Sequence, residues 1–216
     1  FLISFFLSIF YFALNPRFNQ NINEESFNDF DVTIYRDRFG VPHIIGKKDK
    51  DTAYGLAYAH AEDDFETIQD MMLFARGKLA RKKGKKMASS DYLLQLLKVW
   101  EVVNANYDSN ISAETKSILN GYAAGLNHYA LKNPKMTYRG LFPVTAKDIV
   151  AGFVHRMPLM FGLDNVIKNA TQKGNSEFAF LNFDTKGFDQ KVLGSNQIAV
   201  SPSRSADGYT RLAINP

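Results

Sequence analysis

The residues with the most chemical potential in this chain are Gly194-Ser195-Asn196-Gln197. The stretch before them, residues 172–193, contains Gly, Lys and Phe but no sustained apolar period. After them, from Ile198 to Ile214, the pattern alternates abruptly and reads as two strands about a turn at Ala206-Asp207-Gly208. A Gly-Ser pair at the start of a strand is, taken alone, an ordinary turn. Scission of the Gly194–Ser195 bond would change its chemistry. Ser195 would then carry a free α-amine beside its own hydroxyl, so one residue would supply both nucleophile and base. An α-amine has a reference pKa of about 8, close to working pH, and can take the hydroxyl proton directly or through one water. Before scission the same hydroxyl can attack the carbonyl of Gly194, where the missing side chain permits a strained backbone. The expectation is a self-cleaving amide hydrolase whose nucleophile acts first on its own chain and then on substrate.

Such a serine must be held by a sheet and covered by other elements. Residues 32–36 alternate as a strand, residues 38–42 form a turn, and residues 43–46 resume extended structure. Residues 51–83 read as a helix with weak points at Gly55 and Gly77. The small residues Ala53, Gly55, Ala57, Ala59 and Ala61 would allow close packing against a neighbour. A second helix is expected over residues 91–104, carrying Leu94, Leu97 and Val99. A third is N-capped by Ser112, with Ile118, Leu119, Tyr122, Leu126 and Tyr129 along one face. A fourth opens on a capping box-like pair, Thr145 and Asp148. It runs through an apolar stripe of Ile149, Val150, Phe153, Met157, Met160 and Phe161, with Pro158 bending or ending it. The order is a short β segment, a helical block, a spacer and a new β segment, which gives an α+β fold class. There are no internal repeats.

Five blocks of this sequence resemble the penicillin acylase family of N-terminal nucleophile hydrolases, in the family's order. They are Val32-Thr-Ile-Tyr-Arg-Asp-Arg-Phe-Gly-Val-Pro-His-Ile44, Ala53-Tyr-Gly-Leu-Ala-Tyr-Ala-His-Ala-Glu-Asp63 with Ala75-Arg-Gly-Lys-Leu79, Gly121-Tyr-Ala-Ala-Gly-Leu-Asn127, Gly194-Ser195-Asn196, and Ser201-x-Ser-Arg-Ser-Ala-Asp-Gly208. The wording is most similar to the acylases of acyl-homoserine lactones and lipopeptides. The resemblance implies αββα layers, with an α chain over residues 31–171, a spacer over 172–194 and a β chain opening at Ser195. It implies Ser195 as the catalytic residue and Gly194–Ser195 as the processing site. It also implies an acyl pocket lined by a Met and a Phe four residues apart, for which Met157 and Phe161 are the counterparts; on pattern alone such a stripe is core. The family's oxyanion-hole donors fall after residue 216, so the segment in hand is expected to be inactive alone. No cofactor is implied. A structural calcium ion is implied mainly through β-chain carboxylates beyond this segment, and Asp164 lies in the neighbourhood of the one α-chain ligand.

Composition adds limits. The absence of cysteine excludes disulfides and thiolate metal sites within this portion. Residues 1–14 are apolar except for Ser4 and Ser8. At that length they fit the apolar core of an export signal better than a membrane span of about 20 residues. Residues 1–30 are therefore expected to be a signal-like segment and a polar, flexible lead-in, and the protein to be exported to the periplasm or beyond. A membrane is a partner only if that segment stays uncleaved. The net charge of +4 is modest, yet residues 76–86 hold seven cations. They fit a helix C-terminus closed by Gly84, or an anionic membrane or polyanion surface; the first reading takes precedence. Nothing beyond this charge suggests nucleic acid. His43 and His60 read as structural, His128 and His155 lack ligands at metal spacing, and Glu62, Asp63, Asp64 and Glu66 read as a solvated helix face. No metal site is assigned. The expected partners are a small amide substrate and the two chains of one precursor. The competing expectation is a membrane-anchored, non-catalytic protein that binds hydrophobic ligands.

Overall fold

The computed structural model describes residues 24–163 and 196–215, which belong to two units divided after Phe180. The first unit opens with a 3₁₀ turn, Glu24–Asp29, that buries Phe27. The Phe27 ring stacks on His128 at 4.6 Å, and Phe30 stacks on Tyr54 at 4.3 Å. The lead-in expected to be flexible is thus anchored from residue 24 onward, because two aromatic rings gain more from burial than the short segment loses in freedom.

Strands β1 (Val32–Arg36) and β2 (Pro42–Gly46) pair antiparallel, with Ile34 opposite Ile44. Asp37 closes the turn between them. Its carboxylate accepts the N–H groups of Phe39 at 2.8 Å and Val41 at 3.0 Å, and the first of these bonds leads in holding its pKa below the usual carboxylate value. Gly40 supplies the left-handed residue.

Helix α1 (Asp49–Ala75) lies against this hairpin. Gly55, expected as a weak point, is where the two meet. A Cβ there would stand 2.7 Å from Val32 Cγ2 and 2.8 Å from Ile44 Cγ2. Asp64 breaks the helical dihedrals (φ −150°, ψ 63°) and its side chain accepts the Thr67 N–H at 3.3 Å. It restarts the helix as a cap would. Gly77, the second expected weak point, does end the helix. It takes φ +61°, its N–H donates to Phe74, and Lys78 N–H reaches back to Leu73 at 2.9 Å. This is the paired-bond stop that a left-handed residue permits.

The expected helix to residue 83 is therefore cut short, leaving one turn, α2 (Ala80–Lys83). The expected second helix is also two, α3 (Ala88–Leu96) and α4 (Val99–Asn110), parted by Lys98 at φ +52°. Between them, Ala75, Leu94, Val99, Val103 and Ala151 form a buried cluster, with Trp100 Nε1 donating to Ala75 O at 2.9 Å.

Helix α5 (Ala113–Lys132) starts as expected, Ser112 Oγ accepting Thr115 N–H at 3.1 Å. Its buried face is not the large apolar row alone but includes Gly121, Ala123 and Gly125. A Cβ on Gly121 would sit 2.2 Å from Lys50 O, and one on Gly125 2.2 Å from Tyr54 O. The backbones of α1 and α5 are this close because nothing projects between them. Helix α6 (Ala146–Met160) opens on the expected reciprocal cap of Thr145 and Asp148 and carries Pro158 through its last turn.

In the second unit β3 (Asn196–Val200) pairs antiparallel with β4 (Arg211–Asn215), Val200 opposite Arg211. A 3₁₀ turn, Pro202–Arg204, and a bend at Gly208 (φ +73°) make the connection. Helices with small antiparallel sheets make the chain α+β.

Candidate active site

Gly194 and Ser195 lie outside the described residues, as does Asp164. Asn196 opens β3, paired with Asn215. The first strand of the second unit thus begins one residue after the candidate nucleophile.

Met157 and Phe161 are described, and they sit at the end of α6. Only the start of the expected apolar stripe, Ile149 and Val150, meets the core. Ala146, Asp148, Ile149, Ala151 and His155 are the buried residues of this helix. Phe153, Met157, Met160 and Phe161 are exposed, Phe161 by 81% and Met157 by 41%. Two anchors at the end of α1 decide which side turns inward. Arg76 grips Asp148, with Nε to Oδ1 at 2.6 Å and Nη2 to Oδ2 at 2.9 Å. About two helical turns along α6, the His155 ring stacks flat on Phe74, centroids 3.9 Å apart. Met157 and Phe161 are left facing away from the core of their unit, where an apolar ligand or another part of the protein can reach them.

Arg76 also donates to the carbonyls of Leu141 and Pro143, so its guanidinium ties the loop before α6 as well. Burial alone would raise the Asp148 carboxyl, but the Arg76 bonds and charge, with the Thr145 groups, hold it below the usual carboxylate range. Sequence reasoning placed Arg76 in a basic run and Asp148 in a helix cap. It did not join them, and no local signal does, since 72 residues separate the pair.

His155 is fully buried, and burial pushes its pKa down to about 4, so it is neutral at working pH. The other histidines have partners: His43 bonds Asp37 at 3.3 Å, His60 bonds the Tyr122 hydroxyl at 3.0 Å, and His128 bonds the Tyr54 hydroxyl. Burial lowers the His128 pKa and raises that of Tyr54 to about 12. Glu62 and Asp63 pair with Arg36, at 3.0 and 2.9 Å, and Glu66 with Lys83 at 3.0 Å. Among the described residues no group of three or more His, Asp or Glu is arranged to hold a metal ion. No described helix is long and apolar enough to cross a membrane.

Residues 31–216 match the model of the family described as penicillin amidase. The chain is 26% identical over 207 residues to acyl-homoserine lactone acylase PvdQ of Pseudomonas fluorescens, covering 85% of this chain and 26% of that protein. It is 30% identical over 98 residues to the penicillin acylase 2 proenzyme of a Pseudomonas species, covering 45% of this chain and 12% of that one. A solved thermostable penicillin G acylase from Alcaligenes faecalis overlaps at a TM-score of 0.47 and 20% identity, covering 76% of this chain and 85% of that chain. The chain spans about a quarter of the length of the PvdQ relative it matches. The match runs from before β1 to the end of the sequence and includes every block from the hairpin to Gly208. The chain belongs to the penicillin amidase family.

Proposed function

We propose that the full-length protein is an amidohydrolase that is made as a precursor, cleaves itself between Gly194 and Ser195, and then uses Ser195 as an N-terminal nucleophile on linear amides. One observation carries this reading: the family match runs through Gly194-Ser195-Asn196, and an antiparallel strand starts at Asn196. In the first reaction Ser195 Oγ attacks the Gly194 carbonyl, the C–N bond breaks, and the departing nitrogen takes the hydroxyl proton. Water then hydrolyses the resulting ester, giving a Gly194 carboxylate and a free Ser195. In the second, the α-amine accepts the Oγ proton as Oγ attacks a substrate amide and passes it to the leaving amine. Water, activated by the same α-amine, releases the carboxylic acid.

Fatty acyl-homoserine lactones are the first choice of substrate, since two PvdQ acylases of that name are each 26% identical to this chain. Lipopeptide and penicillin-type amides come next. The outward Met157 and Phe161 suit contact with an apolar acyl chain, which an apolar pocket selects at roughly 0.8 kcal/mol per methylene. Export to the periplasm or beyond, the pairing of α and β chains from one precursor, and a structural calcium ion belong to the same reading.

Intact-mass and N-terminal analysis of the full-length gene product, expressed with its leader, tests it. Two chains, the larger beginning Ser-Asn-Gln-Ile, are expected. A single uncut chain, or Ser195→Ala protein that is still processed, would overturn the assignment of Ser195.

A further inference from the structure

The seven cations of residues 76–86 do not share one purpose. Arg76 is spent on Asp148, Lys83 on Glu66 and Asp70, and the Lys82 ammonium lies 4.2 Å from the centre of the Tyr138 ring. The other four, Lys78, Arg81, Lys85 and Lys86, are exposed. None of them has a salt bridge among the described residues. The next carboxylate along the chain, Asp91, is already engaged: it accepts the backbone N–H groups of Leu79 at 2.9 Å and Ala80 at 3.0 Å. Those two bonds, with Leu79 buried, fix the basic segment on the first turn of α3.

A helix C-terminus, the expected reading, accounts for part of this charge: Lys78 follows the stop of α1, and Arg81 lies in the last turn of α2 before its cap Gly84. Lys85 and Lys86 do not fit it, since they stand just before the N-terminus of α3. Cations there oppose the α3 dipole. Helix α3 buries Leu93 and Leu94 and turns Tyr92 and Leu96, one turn apart, outward at 67% and 61% exposure. Nine residues make this helix roughly 13 Å long, so the two apolar side chains lie within about a screening length or two of Lys85 and Lys86.

We infer that this surface is a docking face for a bilayer rich in anionic phospholipid, with Lys78, Arg81, Lys85 and Lys86 reading the headgroup charge and Tyr92 and Leu96 entering the interface. Charge complementarity supplies the attraction, and the apolar pair favours a bilayer over a soluble polyanion, which would reward the cations alone. The inference does not depend on the protein's being an acylase.

Co-sedimentation of the full-length protein with vesicles tests it, using phosphatidylglycerol mixed with phosphatidylcholine against phosphatidylcholine alone. Preferential binding to the anionic vesicles that weakens between about 0.05 and 0.5 M salt is expected. The fourfold variant Lys78→Gln, Arg81→Gln, Lys85→Gln, Lys86→Gln should lose about tenfold or more in vesicle affinity with an unchanged melting curve. Tyr92→Ser with Leu96→Ser should lose the binding that survives at high salt. Absence of binding, equal binding to both vesicle types, or retention by the fourfold variant would overturn the proposal. So would tighter binding to heparin or duplex DNA that is indifferent to Tyr92 and Leu96.

Discussion

Arg76 and Asp148, 72 residues apart, face one another as a two-pronged pair at 2.6 and 2.9 Å, with Asp148 almost wholly out of solvent. The same guanidinium holds two carbonyls of the loop before α6, and the same carboxylate caps that helix through Thr145. Two charged side chains thereby fix the end of α1, a loop and the start of the helix that bears Met157 and Phe161.

Removing one partner strands the other. Arg76→Met should cost about 3–5 kcal/mol by leaving a buried carboxylate unpaired. Combining it with Asp148→Asn should cost less than the two single changes added together. Urea unfolding of the four proteins checks this, and strict additivity would show that the pair is not coupled.

His155 makes stability depend on pH in a defined window. Its ordinary pKa is 6.5 and burial takes it to about 4 in the folded protein. Between those values the unfolded chain binds more protons, so the contribution is complete above about 6.5 and drains away as pH falls toward about 4, by about 3 kcal/mol at most. Asp148, whose folded pKa lies below 3.8, contributes its loss only at still lower pH. His155→Phe should flatten the profile between pH 7 and pH 4.5 in denaturation measurements; an unchanged slope would mean that His155 takes up its proton while folded.

Two glycines should respond to alanine with opposite signs. At Gly125 the new methyl would stand 2.2 Å from Tyr54 O, which forces α1 and α5 apart and should cost about 1–3 kcal/mol. At Gly152 it would meet Ala75 Cβ at an ordinary 3.7 Å, so the gain in helix propensity should appear, about 0.5–1 kcal/mol. Melting temperatures of the two variants distinguish them.

If the exposed end of α6 contacts the acyl group, Phe161→Ala should shift the preference among substrates of increasing acyl length by several-fold while leaving global stability within about 0.5 kcal/mol. The comparison to make is kcat/KM across an acyl series beside a melting curve. A shift in stability with no shift in preference would place Phe161 in a packing contact instead.

What could be read from the sequence was the chemistry of helix ends. Ser112 and the Thr145–Asp148 box act within four residues of themselves, and each does what its type suggests, whereas Gly77, expected only as a weak point, is a full stop. Lys98 carried no such signal, because a left-handed lysine is chosen by the packing of Leu97 and Trp100 on either side of it and not by its own preference. The rotation of α6 carried no local signal for a related reason. Hydrophobic counting favours Phe153 and Phe161 inward, whereas a long-range ion pair and a ring stack set the rotation. The hairpin at β3 followed from alternation and Gly208, while the serine before it is known through its neighbours in sequence and its family alone.

The alternating small residues of α1 have a consequence for how the chain can diverge. On a helix such alternation makes two separate stripes, and both are used: Gly55 and Ala59 meet the hairpin, the second through Arg36 donating to its carbonyl at 3.2 Å, while Ala57 and Tyr54 meet Gly125. Neighbours press on the helix from two sides, branched side chains at Gly55 and the helix's own carbonyls against Gly121 and Gly125. Substitution there has almost no room, whereas the outer faces of α3 and α6 leave large side chains exposed. The part of the molecule free to acquire new contacts is the part that carries Tyr92, Leu96, Met157 and Phe161.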